Sequence, residues 1–150
     1  MAAGDFVWFA QTKVDEWEKF HDLENDDIRL GIVDSTITPT ETTSDPRWGA
    51  GGTTNLATNE VTAGGNYSAG GPAIANPTVT LSGTASVFDG DDISIAQNAS
   101  NPTDGRWGIV YNNTDAGKRC LGFLDLGAAV DMSSGPFSVT WNASGICSKD

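Results

Sequence analysis

The chain has 150 residues and a mass of 15.7 kDa, the length of one domain with room for a hydrophobic core. Its net charge of −12, with only eight scattered lysines and arginines, argues against nucleic acid or an anionic membrane surface as partner. Eighteen glycines and a charged fraction of 19% suit short strands joined by tight turns and do not suit a helical bundle.

No apolar run approaches the ~20 residues that a helix needs to cross a membrane. The opening Met1-Ala2-Ala3-Gly4-Asp5 lacks the charged start and apolar centre of a signal peptide. A product made and used without export is therefore expected, with Cys120 and Cys147 as reduced thiols.

In chain order, the first expected element is a helix over about Asp5 to His21, with Asp5 as N-cap. Phe6, Phe9, Lys13, Trp17 and Phe20 follow the spacing of one helical face, with Val14 beside it. The simplest reading packs this aromatic face across a sheet. The functional alternative has Phe6, Val7, Trp8 and Phe9, near the free end, dock on a neighbouring subunit. Ile28 to Val33 reads as the first strand, with Ile28, Leu30 and Ile32 sharing a face. About Thr36 to Gly65 is expected as a long loop whose single large apolar group is Trp48, in Asp45-Pro46-Arg47-Trp48-Gly49. Arg47 and Trp48 are the second candidate contact point. Tyr67–Ile74 is weakly strand-like. Thr78–Leu81, Ala85–Phe88 and Ile93–Ile95 read as strands, with Val79 and Leu81 on one side of theirs. Phe137, Val139 and Trp141 alternate cleanly in a last strand over about 136–141, and the tail after Ile146 is expected to fray.

The organising element is a β-hairpin from Gly105 to Gly127 that turns at Thr114–Gly117. Setting Asn113 opposite Lys118 pairs Tyr111 with Cys120, Ile109 with Gly122, Trp107 with Leu124, Val110 with Leu121, Gly108 with Phe123 and Arg106 with Asp125. Both faces are then apolar, so the hairpin should be central in a sheet covered on both sides. The fold class that follows is mainly β: a single antiparallel β-sandwich domain, jelly-roll-like, with one N-terminal α-helix.

Candidates for chemistry are few. His21 is the lone histidine and is expected to cap the end of the helix rather than to catalyse. Asp89, Asp91, Asp92, Asp104 and Asp125 are the candidates for a carboxylate pair, yet most sit where turns favour Asp. The acidic turns Glu24–Asp27 and Asp89–Asp92 lack the twelve-residue calcium loop. No enzyme, metal or cofactor is expected. Of Trp48, Trp107 and Trp141, only Trp48 stands in a loop, where it is the candidate to stack on a sugar ring.

The order of segments resembles a family of small virion proteins from the head module of tailed bacteriophages. The resemblance is carried by Asp26-Asp27-Ile28-Arg29-Leu30-Gly31-Ile32-Val33 and the glycine-rich Gly64–Gly71. It continues through the turn at Phe88–Asp92, the strands Arg106–Gly117 and Leu121–Gly127, and the closing segment Gly135–Ile146. It implies a capsid decoration, or cement, role on the outer surface of a major capsid protein shell, assembled in a bacterial cytoplasm and grouped as homotrimers. Other virion components (tail, neck or fibre) and a carbohydrate-binding adhesion module are the alternatives. The longer loop at Thr43–Thr58 and the aromatic start of the helix depart from the family pattern, and both are where partner contacts are expected.

Overall fold

The computed structural model describes residues 2–3 and 6–150. In chain order the elements are β1 (Ala2–Ala3), β2 (Val7–Trp8), α1 (Thr12–Trp17), β3 (Ile28–Val33), β4 (Pro46–Arg47), β5 (Thr54–Asn55) and a 3-10 turn at Leu56–Asn59. There follow β6 (Thr78–Ser82), β7 (Ala85–Asp89), β8 (Ile93–Ile95), β9 (Gly105–Asn112), β10 (Cys120–Val130), β11 (Phe137–Trp141) and β12 (Cys147–Lys149). Among the described residues the fold is mainly β with a single short α-helix, as the sequence predicts.

The strands β2-β10-β9-β3 form an antiparallel sheet of four. Two sheets of three, β1-β11-β8 and β12-β7-β6, and the small parallel pair β4-β5 complete the set. Ile28, Leu30 and Ile32 of β3 face Ile93, Ile95, Phe137, Val139 and Trp141 across the main core, which makes the two layers of a sandwich. On the outer face of the four-stranded sheet, Ile109, Tyr111, Cys120 and Phe123 form a second core with Phe9, Trp48 and Leu56. The β9–β10 hairpin is thus central and buried on both faces.

Its register departs from the expected one after a single pair. Tyr111 opposes Cys120 as predicted, but Val110 then opposes Gly122, Ile109 opposes Phe123 and Gly108 opposes Leu124. Leu121 is an extra residue on one strand, a β-bulge, so the pairs from Val110–Gly122 to Trp107–Asp125 slip by one, and a second irregularity beyond Asp125 sets Val130 opposite Gly105. Phe123 consequently joins the outer core and Leu124 the main core. The Arg106–Asp125 ion pair survives the slip, reaching across on the diagonal. The carbonyl of Leu121, freed from the ladder by the bulge, accepts from the Phe9 N–H at 3.0 Å and from Thr12 Oγ1 at 2.8 Å.

The N-terminal segment is the largest correction. The helix spans only Thr12–Trp17, with Gln11 as its N-cap, while the N-cap expected at Asp5 lies outside the described residues. Val7 and Trp8 form a strand on β10 instead, opposite Phe123 and Gly122. A Cβ on Gly122 would run into the Phe6 ring and the Val7 carbonyl, so the bare glycine is what admits this strand.

The long loop is also more ordered than expected. It carries β4, β5 and the 3-10 turn, and it buries Leu56 as well as Trp48. The Trp48 N–H donates to the Lys118 carbonyl at 2.8 Å, and its ring stacks on Tyr111 at 4.8 Å between centroids. The indole lies over Gly31, where any Cβ would collide with it. Tyr67–Ile74 is not a regular strand, although Ala73 bridges to Arg29 alongside β3. The tail does not fray: Cys147–Lys149 pairs with β7.

Because Trp48 fills the outer core at 5% exposure, Trp48→Ala should destabilise the fold by about 3–5 kcal/mol. Urea unfolding of the variant measures this, and a loss under about 1 kcal/mol would contradict the stacked, buried placement.

Candidate partner-binding surface

The residues singled out as contacts are mostly occupied within the chain. Phe9 is fully buried, and Phe6 and Trp8 are half-buried against the main core, where their rings meet edge to face at 5.2 Å. Trp8 Nε1 donates to the Ser148 carbonyl at 3.3 Å. Val7 alone of the four is exposed. Arg47 is bound by Asp45 at 2.7 Å, and Trp48 is buried, so neither it nor Phe9 offers its side chain to a partner. Burial also removes Trp48 as a platform for a sugar ring.

What orients the helix is polar. Thr12 and Asp15 form its buried side, not the predicted stripe of Phe6, Phe9, Lys13, Trp17 and Phe20. Asp15 accepts from Gln11 Nε2 at 3.2 Å and lies 3.5 Å from Arg119 Nε and 4.0 Å from His21 Nε2. Arg119 in turn grips Asp115 at 2.8 Å and stacks its guanidinium 3.3 Å from the Phe20 ring centroid. An aspartate taken out of water needs such partners, and they hold this side of the helix inward. The helix then stops sharply. Lys19 takes the left-handed conformation at φ 62°, its N–H reaches the Glu16 carbonyl, and the Phe20 N–H reaches the Asp15 carbonyl, each at 3.0 Å. That is a Schellman stop with a lysine where glycine is usual.

His21 does not cap the helix, since the helix ends four residues before it. Its side chain is buried beside Asp15 and within 3.3 Å of Asn112 Nδ2. Burial holds the imidazole below its ordinary pKa of 6.5, against the opposing pull of Asp15 and Asp115.

With Thr12 and Asp15 inside, the helix presents its apolar residues to solvent. Trp17 is 88% exposed and Val14 is 49% exposed. Beside them lies β6, all five residues of which are exposed, with Leu81 at 76%. Strand pairing sets Leu81, Ser86 and Lys149 in one cross-strand row, and Lys149 pairs with Glu16 of the helix. Two shallow depressions flank that ion pair. One, of about 640 Å³, is lined by Lys13, Val14, Trp17, Glu18, Lys149 and Asp150. The other, of about 590 Å³, is lined by Glu16, Lys19, His21, Asp22, Leu23, Glu24, Val79 and Ser86. Together they make one side of the molecule: exposed apolar groups on a helix and an edge strand, rimmed mainly by carboxylates.

The other sequence candidates have structural uses. Asp92 accepts from the Trp141 N–H at 2.9 Å, Asp91 from Asn76 Nδ2 at 2.7 Å, and Asp26 from Asn112 Nδ2 at 2.6 Å. Among the described residues, no three His, Cys, Asp or Glu side chains gather as metal ligands would. Cys120 and Cys147 are free thiols, and burial raises the pKa of Cys147 to about 12, far from a reactive thiolate. Among the described residues, no helix is long and apolar enough to cross a membrane. No family model, curated protein or solved structure matches the chain.

Trp17, Val14, Val79 and Leu81 were not among the contact residues the sequence suggests, because apolar residues at regular spacing read as core. Leu81 did carry a signal: Thr78-Val79-Thr80-Leu81-Ser82 has no charge, proline or glycine to protect an edge.

The pH dependence of stability follows from His21. Its folded-state pKa is depressed, so the unfolded chain binds the extra proton, and stability is lost as pH falls below 6.5. Chemical denaturation between about pH 5 and pH 7 should show that loss, and His21→Gln should flatten it. An unchanged slope in the variant would contradict the assignment.

Proposed function

We propose that this chain is a bacteriophage capsid decoration protein, which binds the outer surface of a major capsid protein shell and stabilises the head. Three copies group at local threefold positions. The observation that carries the reading is the exposed side built from Trp17, Val14, Val79 and Leu81. A tryptophan left in water on a short, rigidly held helix is the residue type that dominates binding at protein interfaces. The net charge of −12 favours a partner surface with basic groups. The family resemblance of the strand segments supplies the shell as that partner. A contact burying about 1,000 Å² or more, repeated over a shell, reinforces a lattice even where each contact is weak.

Two measurements test this. Quantitative mass spectrometry of purified virions should give about one copy per capsid subunit, the stoichiometry of a lattice-wide component. A few to a few tens of copies would move the chain to tail, neck or fibre, and absence from virions would contradict the proposal. Trp17→Ala should leave stability within about 0.5 kcal/mol of wild type and weaken shell binding by roughly 2 kcal/mol. Full shell affinity in the variant would overturn docking through this side.

A further inference from the structure

β6 is an open edge. Among the described residues it pairs only with β7, in the β12-β7-β6 sheet, and its five residues are exposed on both faces. The hairpin closes through Gly83, at φ 64°, and Thr84, so Ser82 and Ala85 form the hydrogen-bonded pair next to a two-residue turn. Pairs alternate along an antiparallel ladder, so Thr80 and Thr78 bond to β7, while the N–H and C=O groups of Leu81 and Val79 point away from it. The Val79 N–H confirms this alternation, because its acceptor is the Glu24 carboxylate at 3.1 Å and not β7. Glu24 stands where the carbonyl of an added strand would stand.

We infer that β6 is a strand-addition site, which takes an extended segment of the shell protein with apolar residues at alternate positions and a basic residue at its end. This rests on the shell-docking reading and names the kind of segment that the surface accepts. The backbone groups of Val79 and Leu81 supply the ladder, and their side chains supply the apolar row. The choice of a basic segment follows from charge. The groove beside Val79 holds Asp22 and Glu24, and Glu16 already paired with Lys149, against one lysine, Lys19, in its lining. A strand displacing Glu24 from the Val79 N–H frees that carboxylate to pair with the incoming cation. A second copy of this chain would bring another −12 to the same seam and is the poorer occupant.

The probe is a dye-labelled peptide, Lys-Val-Thr-Val-Thr-Val-Lys, followed by fluorescence anisotropy against the full chain. Leu81→Pro removes one outward N–H and leaves the β7 ladder intact, since proline is tolerated at such edge positions. It should weaken peptide binding about tenfold or more, and Glu24→Gln should weaken it several-fold. Should Leu81→Pro fail to fold by circular dichroism, Leu81→Lys, which repels the peptide at an exposed position, takes its place. Unchanged binding in these variants, or equal binding of a peptide with glutamate ends, would overturn the inference. So would a dimer of this chain that Leu81→Pro abolishes, because it would assign the edge to a second copy. Shell cosedimentation separates the inference from the reading beneath it. Loss with Trp17→Ala but not with Leu81→Pro leaves shell docking standing and overturns strand addition, and retention by both variants overturns both.

Discussion

The carbonyl of Leu121 ties the structure together. The bulge that carries it shifts β10 by one residue, which sends Phe123 outward and Leu124 inward and so fills both cores. A carbonyl released from a ladder inside a protein must find a donor. Here it finds two, the Phe9 N–H and the Thr12 hydroxyl, and these fix the strand-to-helix junction of the N-terminal segment over the centre of the sheet. The polar side of the helix follows from that anchor, since Thr12 and Asp15 lie three residues apart on one face.

From there the consequences run outward. Asp15 meets His21, close by in the chain, and Arg119, far from it in the chain, and Arg119 holds the hairpin turn through Asp115. Removing one partner from such a buried group costs more than the pair contributes, so the cluster works as a lock on orientation rather than as a large source of stability. With Thr12 and Asp15 locked in, the helix turns Val14 and Trp17 outward together with Lys13 and Glu16. Trp17 and Val14 stand in solvent for that reason, next to an edge strand equally without cover. The proposed docking surface is thus a by-product of how the core is closed, placed on a helix and a strand, with the release of Glu24 from the Val79 N–H as the one change that an added strand requires.

Much of the sheet was legible in the sequence. Ile28–Val33 and Phe137–Trp141 alternate so regularly that face and limits follow from periodicity alone. The hairpin was legible up to Tyr111–Cys120, and there the reading failed, because a bulge leaves no trace in a pattern of apolar and polar residues. The helix failed for another reason. Aromatic spacing over Phe6–Phe20 mimics one helical face, although Val7 and Trp8 are a strand and the true inner face is made of Thr12 and Asp15. Their partners, Leu121 and Arg119, are more than a hundred residues away in the chain, beyond the reach of local periodicity. Trp48 reads from the sequence as a loop aromatic because its seat, the bare backbone of Gly31, lies on a different strand. The candidate surface stayed hidden by the same habit of placing apolar residues inside, a rule that holds in one direction only.

Hydrogen exchange of the protein, free and bound to shells, reads which side of the molecule meets the shell. Binding should slow exchange over α1 and its stop, residues 12–20, and over β6, residues 78–82, with the long loop at 36–65 unaffected. Slowing confined to that loop, or to Phe6–Phe9, with α1 and β6 unchanged, would contradict docking through α1 and β6.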